Sequence, residues 1–215
     1  MTGLRERNKQ DKLQRIREAT WALFRERGYD ATTTRAIAEQ AGIGAGTLFL
    51  YARDKADLLF LIFRDEIEAI YQERFASVPP RAPLHAQLAY VFAGFYERYA
   101  EAPELARRFV REIVFLEGER RVSYERLNQA FFAGVAGLIE ASKARGEVRA
   151  EAPALEVAVH LFALYAFFVM TWLGDERPEP AAGIRALERA LKLALDGVRP
   201  PATPVPRASS RKRGA

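Results

Sequence analysis

Apolar side chains recur every three or four residues along most of the chain, which predicts amphipathic α-helices and no strands. The first helix carries the stripe Leu13, Ile16, Thr20, Leu23 and Arg27. Gly28 provides its stop, and the threonines that follow offer a hydroxyl cap for a second, two-turn helix that ends at Gly42. A third short helix is expected to run to Tyr51, and Asp54 caps a fourth that begins at Lys55.

Two short helices around a glycine-containing turn, braced by a longer helix, form a helix-turn-helix, whose second helix fits the major groove of B-DNA. Helices this short do not persist alone in water, so we expect Ile37, Ala38 and Leu48 to pack on the first helix. The third helix offers hydroxyls for phosphates and apolar groups for thymine methyls, but no Arg, Asn or Gln for bidentate base contacts. Base readout is therefore expected to depend on shape and backbone amides.

Beyond residue 64 the periodicity predicts five further helices after the fourth, hence an all-α fold of about nine helices. The fourth helix is expected to end at about residue 77. The fifth is expected at 84–100, the sixth from 103 to about 118, the seventh at about 122–145, the eighth from about 153, and the ninth at about 180–196. Residues 1–55 are interpreted as a helix-turn-helix DNA-binding domain, and residues 56–198 as a helical domain for effector binding and dimerisation. The tail 199–215 is rich in Pro and Lys/Arg and is predicted to be disordered.

The eighth predicted helix is apolar throughout 157–173 except for His160 and Thr171. A membrane span is one interpretation, but the run barely reaches the length limit and contains a histidine. A helix that is apolar all round must be covered on every side, so we favour a helix shared with a second copy of the chain. Together with the ninth helix it predicts a two-fold, four-helix dimer interface. Its expected residues are Phe162, Val169, Leu187, Leu191 and Leu195.

Composition excludes several kinds of site. The 215 residues include no Cys, so there is no disulfide or Cys-based zinc site, and the two His residues lie far apart, so we expect no metal and no cofactor. Glu112, Glu117 and Glu119 lie close together in the sequence, but no second set of carboxylates has the spacing of a di-metal site. We therefore expect the protein not to be an enzyme. The N-terminal residues lack the apolar run of a signal peptide, which predicts a cytoplasmic location.

Charge is concentrated at the two ends of the chain. Residues 1–55 carry a formal charge of +4 and residues 199–215 carry +5, whereas the middle carries −4. A basic end beside a compact helical unit favours a polyanion partner such as double-stranded DNA. Solvated helix faces would give the same charges and remain an alternative.

The helix-turn-helix and its flanks carry one characteristic set of residues: Gly28, Tyr29, Thr32, Thr33, Ile37, Ala38, Ala41, Gly42, Gly46, Thr47, Leu48, Tyr51, Lys55 and Leu58. In this spacing the set resembles the DNA-binding domain of the TetR family of bacterial transcriptional regulators. The resemblance implies DNA contacts from the start of the second helix, the exposed face of the third and the start of the fourth. The candidates are Thr33, Thr34, Arg35, Ala45, Gly46, Thr47, Phe49, Leu50, Tyr51 and Lys55. It also implies a dimeric repressor that binds a palindromic operator.

The chain departs from the family pattern at Gly44, Phe49 and Ala52, where Ser, Tyr and Phe are usual, so base preference does not carry over. Family members commonly bind a small effector between the later helices, which tilts the fourth helix. Aromatic residues of the middle and end of the chain are candidates for lining such a pocket, although an ordinary packed core explains the same pattern. The candidates are Phe92, Phe95, Tyr96, Tyr99, Phe109, Phe115, Phe131, His160, Tyr165, Phe168 and Trp172.

Because these candidates include no Lys or Arg, an uncharged hydrophobic or aromatic effector is expected rather than an anion. The predicted function is therefore a repressor that such an effector releases from DNA. A repressor without a small effector, either constitutive or controlled by a protein partner, is the alternative.

Overall fold

The computed structural model describes residues 2–197, apart from the side chains of residues 2 and 5. Within that range the chain forms nine α-helices and no strand, which confirms the predicted all-α class. The helices are α1 Thr2–Ala31, α2 Thr34–Gln40, α3 Ala45–Leu48, α4 Lys55–Ser77, α5 Leu84–Ala100, α6 Pro103–Ile113, α7 Gly118–Ala144, α8 Ala154–Leu173 and α9 Pro180–Asp196. The tail predicted to be disordered, 199–215, lies outside the described residues.

The predicted limits fail mainly around α6 and α7. We expected the sixth helix to reach about residue 118 and the seventh to start near 122, whereas α6 ends at Ile113 and α7 starts at Gly118. The first turn of α7 contains Glu119 and two arginines, so it adds no apolar position to the stripe and the periodicity cannot detect it.

The first three helices pack as predicted. Helix α1 is interrupted at Gly28, which has a φ of 79°, where the stop was expected. The apolar face of α1 buries Ile16 and Leu23, and Ile37 and Leu48 of the two short helices are buried in the same cluster. This shared burial supplies the stability that two such short helices lack by themselves.

Helix α4 connects this unit to the remaining helices. Leu58 at its start is buried with the helix-turn-helix, and farther along Phe63 stacks on Phe109 of α6 with ring centroids 4.5 Å apart. A single cluster of buried residues extends through both parts. The proposed boundary after residue 55 therefore falls at the start of a continuous helix rather than at a gap in the core, and it stays a prediction.

Helix α5 lies at the centre of the C-terminal part and is buried on most of its sides. Helices α8 and α9 form a hairpin, which the Trp172 indole closes by donating to the Glu179 carbonyl at 2.9 Å. By length and composition α8 is the one helix among residues 2–197 that is apolar enough to cross a membrane. In this fold its inner face packs between α7 and α9, with Leu161 and Tyr165 buried.

Candidate DNA-binding surface and internal cavity

The turn between α2 and α3 is fixed by a Schellman motif. The Gly42 N–H donates to the Glu39 carbonyl at 3.1 Å, and the Ile43 N–H donates to the Ala38 carbonyl at 3.0 Å. Gly42 has a φ of 64°, which a residue without Cβ adopts freely. The motif ends α2 and sets the direction in which α3 starts.

The threonines before α2 divide between structural and surface roles. The buried Thr32 hydroxyl contacts the carbonyl oxygens of Leu23 and Gly28 at 3.1 and 2.8 Å. Thr33 is the N-cap of α2, and its hydroxyl oxygen accepts from the Ala36 N–H at 3.1 Å. The Thr33 O–H remains a free donor on an exposed residue, whereas Thr34 is half-buried.

The outer face of α3 and of the turn that follows it is accessible. Ala45, Gly46, Phe49 and Leu50 are exposed, and Leu50 exposes 82% of its surface. Thr47 and Tyr51 are half-buried, because the next turn folds back on the core. The residues expected to face DNA therefore form one surface with exposed Arg35 of α2, although two of them offer only part of their side chains.

Lys55 occupies a position that sequence reasoning did not anticipate. Its ammonium donates to the carbonyl oxygens of Tyr29, Asp30 and Thr32 at 2.6, 3.1 and 3.0 Å, which uses all three of its N–H donors. It also lies 4.4 Å from the Tyr29 ring centroid. The predicted contact with a DNA phosphate remains untested, but in this structure Lys55 clamps the end of α1 to the start of α4.

A second ionic connection ties the helix-turn-helix to α7. The Asp57 carboxylate accepts from the Arg53 backbone N–H and guanidinium at 2.8 and 3.0 Å and pairs with Arg120 at 3.0 Å. Burial works to raise the pKa of Asp57, but these hydrogen bonds and the nearby arginine charges outweigh it and lower the pKa. Asp57 is therefore held as an anion at the junction.

An internal cavity of about 250 Å³ lies between α4, α5, α6, α7 and α8. Its wall is mostly apolar and is formed by Ile67, Tyr71, Phe95, Tyr99, Val110, Ile113, Val114, Tyr124, Asn128, Phe162, Tyr165, Ala166, Val169 and Met170. Three of the predicted ligand residues, Phe95, Tyr99 and Tyr165, line it. Phe162 and Val169, which we had predicted at the dimer interface, line it as well.

The other predicted ligand residues do not line this inner cavity. Five of them are buried in the core around it: Phe92, Tyr96, Phe109, Phe131 and Trp172. His160 is exposed, Phe168 is half-buried, and Phe115 exposes 83% of its surface at a different cavity. Every residue on the inner face of a core helix looks alike in the sequence, and only the packing of five helices determines which of them borders a void.

Buried hydroxyls give the inner cavity polar points. Burial raises the pKa of Tyr99 and Tyr165 above the ordinary range, so both remain protonated at physiological pH. The two hydroxyls share a hydrogen bond, which lowers the Tyr99 pKa and raises that of Tyr165, so Tyr165 is the donor. Nearby, the buried Asn128 Oδ1 has no hydrogen-bond partner among the described residues. These groups can bind an oxygen or nitrogen of a ligand.

An outer cavity of about 750 Å³ adjoins the inner one, and Val110, Val114 and Met170 belong to the walls of both. Three arginines of α6 line the outer cavity: Arg107, Arg108 and Arg111. The ligand candidates chosen from the sequence contain no Lys or Arg, whereas the outer cavity brings three arginines beside the inner one; which cavity binds an effector stays a prediction. The arginines were missed because the search was confined to aromatic side chains.

The three arginines differ in their partners. The Arg107 guanidinium donates to the Asp175 carbonyl at 2.6 Å and to the Leu173 carbonyl, which ties α6 to the end of α8. Arg108 pairs with Asp30 and Glu112. Arg111 is exposed and forms no ion pair with any residue in the described range. Arg111 is thus the cation most available to an incoming anion.

Residues 16–62, which comprise the helix-turn-helix and the first part of α4, match the family model for bacterial regulatory proteins of the tetR family. The chain carries the DNA-binding domain of the TetR family. It is therefore a DNA-binding transcriptional regulator, as predicted, and the TetR-family relatives found by comparison are regulators rather than enzymes.

Two curated relatives extend over most of the chain. The fatty acid metabolism regulator protein of Bacillus subtilis is 22% identical over 89% of this chain and 98% of its own length. The transcriptional repressor KstR2 of Rhodococcus jostii is 29% identical over 83% of this chain and 87% of its own length.

Solved TetR-family structures share the fold. Thermus thermophilus FadR, a transcriptional repressor in complex with lauroyl-CoA, gives a TM-score of 0.72 at 23% identity, over 91% of this chain and all of that one. Bacillus subtilis FadR in complex with stearoyl-CoA gives 0.68 at 20% identity, over 86% of this chain and 99% of that one. At such identities the likeness establishes the fold alone.

The predicted dimer residues of α8 and α9 do not form an exposed face. Val169, Leu187, Leu191 and Leu195 are buried inside the protomer, and Phe162 is half-buried at the inner cavity. Their stripe packs α8 and α9 on the rest of the same chain. The face left open instead carries the exposed residues Leu155, Val159, Phe167, Met170 and Leu193. The hairpin thus carries two apolar stripes, one buried in the protomer and one exposed, and the dimer interface stays a prediction.

Proposed function

We propose that this protein is a homodimeric repressor that acts in the cytoplasm and is released from a palindromic operator by an acyl-coenzyme A. The observation that carries the proposal is the pair of adjoining cavities, one apolar and internal, the other open and lined by arginines. An acyl-CoA has the same two parts, an apolar chain and a phosphorylated head group. The TetR-family repressors solved with lauroyl-CoA and stearoyl-CoA support this choice of effector.

The inner cavity suits the acyl chain. Its wall is largely apolar, so burial of a hydrocarbon there is favourable by about 0.8 kcal/mol per methylene. At about 250 Å³ it falls below the usual size of a complete ligand site, roughly 300 to 1,000 Å³. It therefore receives only part of the effector, and the Tyr99 hydroxyl, whose O–H is not used in the bond with Tyr165, lies among its lining groups as a donor for a carbonyl oxygen.

The outer cavity suits the head group. Guanidinium groups bind phosphate through paired N–H donors, and these charge-assisted bonds are stronger than neutral ones. Arg111 has no partner in the described range to give up, and Phe115 beside it is exposed. A phosphorylated head group at this position departs from the uncharged effector that the sequence suggested.

Release follows if the effector binds the DNA-incompetent arrangement more tightly than the competent one. Coupling of about 1 to 3 kcal/mol corresponds to a 5- to 150-fold loss of operator affinity. The α4 helix lines the inner cavity through Ile67 and Tyr71 and begins beside the helix-turn-helix. A ligand that moves α4 therefore changes the position of α3 relative to its two-fold partner.

Dimerisation is proposed through the outward face of α8 and α9. Leu155, Val159, Phe167 and Met170 lie along one side of α8, and Leu193 of α9 is exposed as well. Neighbouring exposed apolar side chains mark an interaction site. Two copies related by a two-fold axis would cover each other's exposed stripe. Two α3 helices then face successive turns of the DNA.

Replacing Phe167 with Glu is expected to dissociate the dimer without unfolding the protomer, because its side chain is 58% exposed and its ring contacts Phe168 of the same helix. Sedimentation should give the protomer mass while circular dichroism remains helical. The matched control is Val122→Glu, an exposed apolar position on α7 rather than on the α8–α9 hairpin, and it should leave the mass unchanged. A dimeric Phe167→Glu protein would remove this face from the interface.

The test of the proposed function has two stages. The purified protein is first used to select duplexes from a random pool at two salt concentrations, and the recovered duplex is then titrated with protein with and without lauroyl-CoA. We expect an inverted repeat and release of at least about fivefold. Failure to enrich any sequence would contradict a sequence-specific regulator. An inverted repeat that lauroyl-CoA and stearoyl-CoA leave bound would favour a repressor that is constitutive or controlled by a protein partner.

A further inference from the structure

We infer that Arg108 couples the outer cavity to the helix-turn-helix, so that an anionic head group releases DNA by withdrawing Arg108 from Asp30 and Tyr29. The inference rests on the proposed function and names the residues that transmit its regulation. It is supported by the position of one side chain, which lies both at the outer cavity and against the helix-turn-helix unit. Arg108 lines the outer cavity and also contacts the end of α1.

The contacts of Arg108 with the DNA-binding helices are direct. Its guanidinium carbon lies 4.3 Å from the Tyr29 ring centroid, and its Nη1 lies 3.4 Å from Asp30 Oδ1. Within α6 its Nε lies 3.6 Å from a carboxylate oxygen of Glu112. The side chain of Arg108 thus bridges α6 and the end of α1.

The path continues from Tyr29 to the start of α2. The Lys55 ammonium also contacts the Tyr29 ring, at 4.4 Å, and binds the Tyr29 and Thr32 carbonyls at 2.6 and 3.0 Å. Thr32 immediately precedes Thr33, which caps α2. Loosening Tyr29 therefore disturbs the clamp that sets where α2 starts, and with it the surface expected to face DNA.

The Arg108–Asp30 pair is suited to being displaced. The Asp30 side chain is 88% exposed and the pair is long, so water screens it and an incoming anion can compete for the guanidinium. A phosphate offers a guanidinium two parallel bonds of greater strength. The anion must also displace the Glu112 carboxylate, which pairs with Arg108 and lines the same cavity. A neutral ligand cannot replace that ion pair, so only an anion is expected to move Arg108.

The experiment compares wild type with Asp30→Asn and Arg108→Gln, with Arg121→Gln as the matched control. Arg121 also pairs with a carboxylate four residues along its own helix, Glu125 of α7, but it borders neither cavity. Binding to the selected duplex is measured without effector and at saturating lauroyl-CoA, with saturation established by titrating each variant. Hydrogen exchange of the amides of residues 29–33 gives a second readout that needs no DNA.

Wild type and Arg121→Gln should lose at least about fivefold in duplex affinity on saturation with lauroyl-CoA. Asp30→Asn and Arg108→Gln should bind the duplex more weakly beforehand and lose less than twofold on saturation. Exchange at residues 29–33 should accelerate with lauroyl-CoA in wild type and be fast from the start in both variants.

Two results would contradict the inference, and they are distinguishable. If wild type is released and both variants are released equally, Arg108 does not transmit the signal, although the proposed function stands. The stacked Phe63–Phe109 pair of α4 and α6 would then be the next path to test. If wild type binds the duplex but lauroyl-CoA neither releases it nor alters exchange at residues 29–33, the proposed effector is wrong and the coupling fails with it.

Discussion

Replacing Ala166 with Trp is expected to abolish release by lauroyl-CoA while operator binding persists. Ala166 lines the inner cavity on α8, and the cavity measures about 250 Å³. An indole at this position occupies much of the space that the proposal assigns to the acyl chain. We expect effector affinity to fall at least about a hundredfold, which corresponds to about 2.8 kcal/mol. Calorimetric titration with lauroyl-CoA measures the loss, and duplex titration measures DNA binding.

The control for this substitution is Ala141→Trp, which introduces the same side chain at an exposed position of α7 that borders neither cavity. Overpacking at Ala166 also costs about 1 to 3 kcal/mol of stability, so thermal unfolding of both variants is recorded to separate a blocked cavity from a damaged fold. Undiminished lauroyl-CoA binding by a folded Ala166→Trp protein would mean that the chain does not enter the inner cavity.

The sequence predicted those features that depend on local pattern. The limits of α4 at Lys55 and Ser77 and of α5 at 84 and 100 were correct because caps, prolines and a broad apolar stripe coincide there. The polar first turn of α7 lacks an apolar stripe, so hydrophobic periodicity could not predict it. Local pattern therefore determines most helices, and fails where a helix end is polar on all sides.

The candidate site depended on information that periodicity does not contain. Leu187 and Leu191 of α9 form a regular apolar stripe, but a stripe does not state whether its own chain or a second copy covers it. The arginines of α6 look like ordinary solvated positions until the fold brings Val114 and Met170 beside them. A search for cations one turn away from the aromatic stripes would have found Arg108 and Arg111, although without ranking them.

Lys55 can support DNA binding in two ways, by a direct contact with a phosphate or by holding α1 and α4 together. A direct phosphate contact predicts unchanged stability and a salt dependence that falls by about 0.9 in slope when the charge is removed. The observed clamp predicts a different outcome for Lys55→Met. The Tyr29, Asp30 and Thr32 carbonyls lose their shared donor, and bonds to a charged group contribute about 1.5 to 3 kcal/mol.

We therefore expect Lys55→Met to lower the free energy of unfolding by at least about 1.5 kcal/mol and to weaken binding to every duplex at least about tenfold, with little change in salt slope. Urea unfolding and duplex titrations at several salt concentrations measure both effects. Arg35→Ala is the matched control, because Arg35 is exposed beside Thr34 and has no recorded partner in the described range. It should reduce the slope by about 0.9 and leave stability intact. If Lys55→Met behaves like Arg35→Ala, the ammonium leaves the three carbonyls for a phosphate when DNA binds, and the clamp belongs only to the free protein.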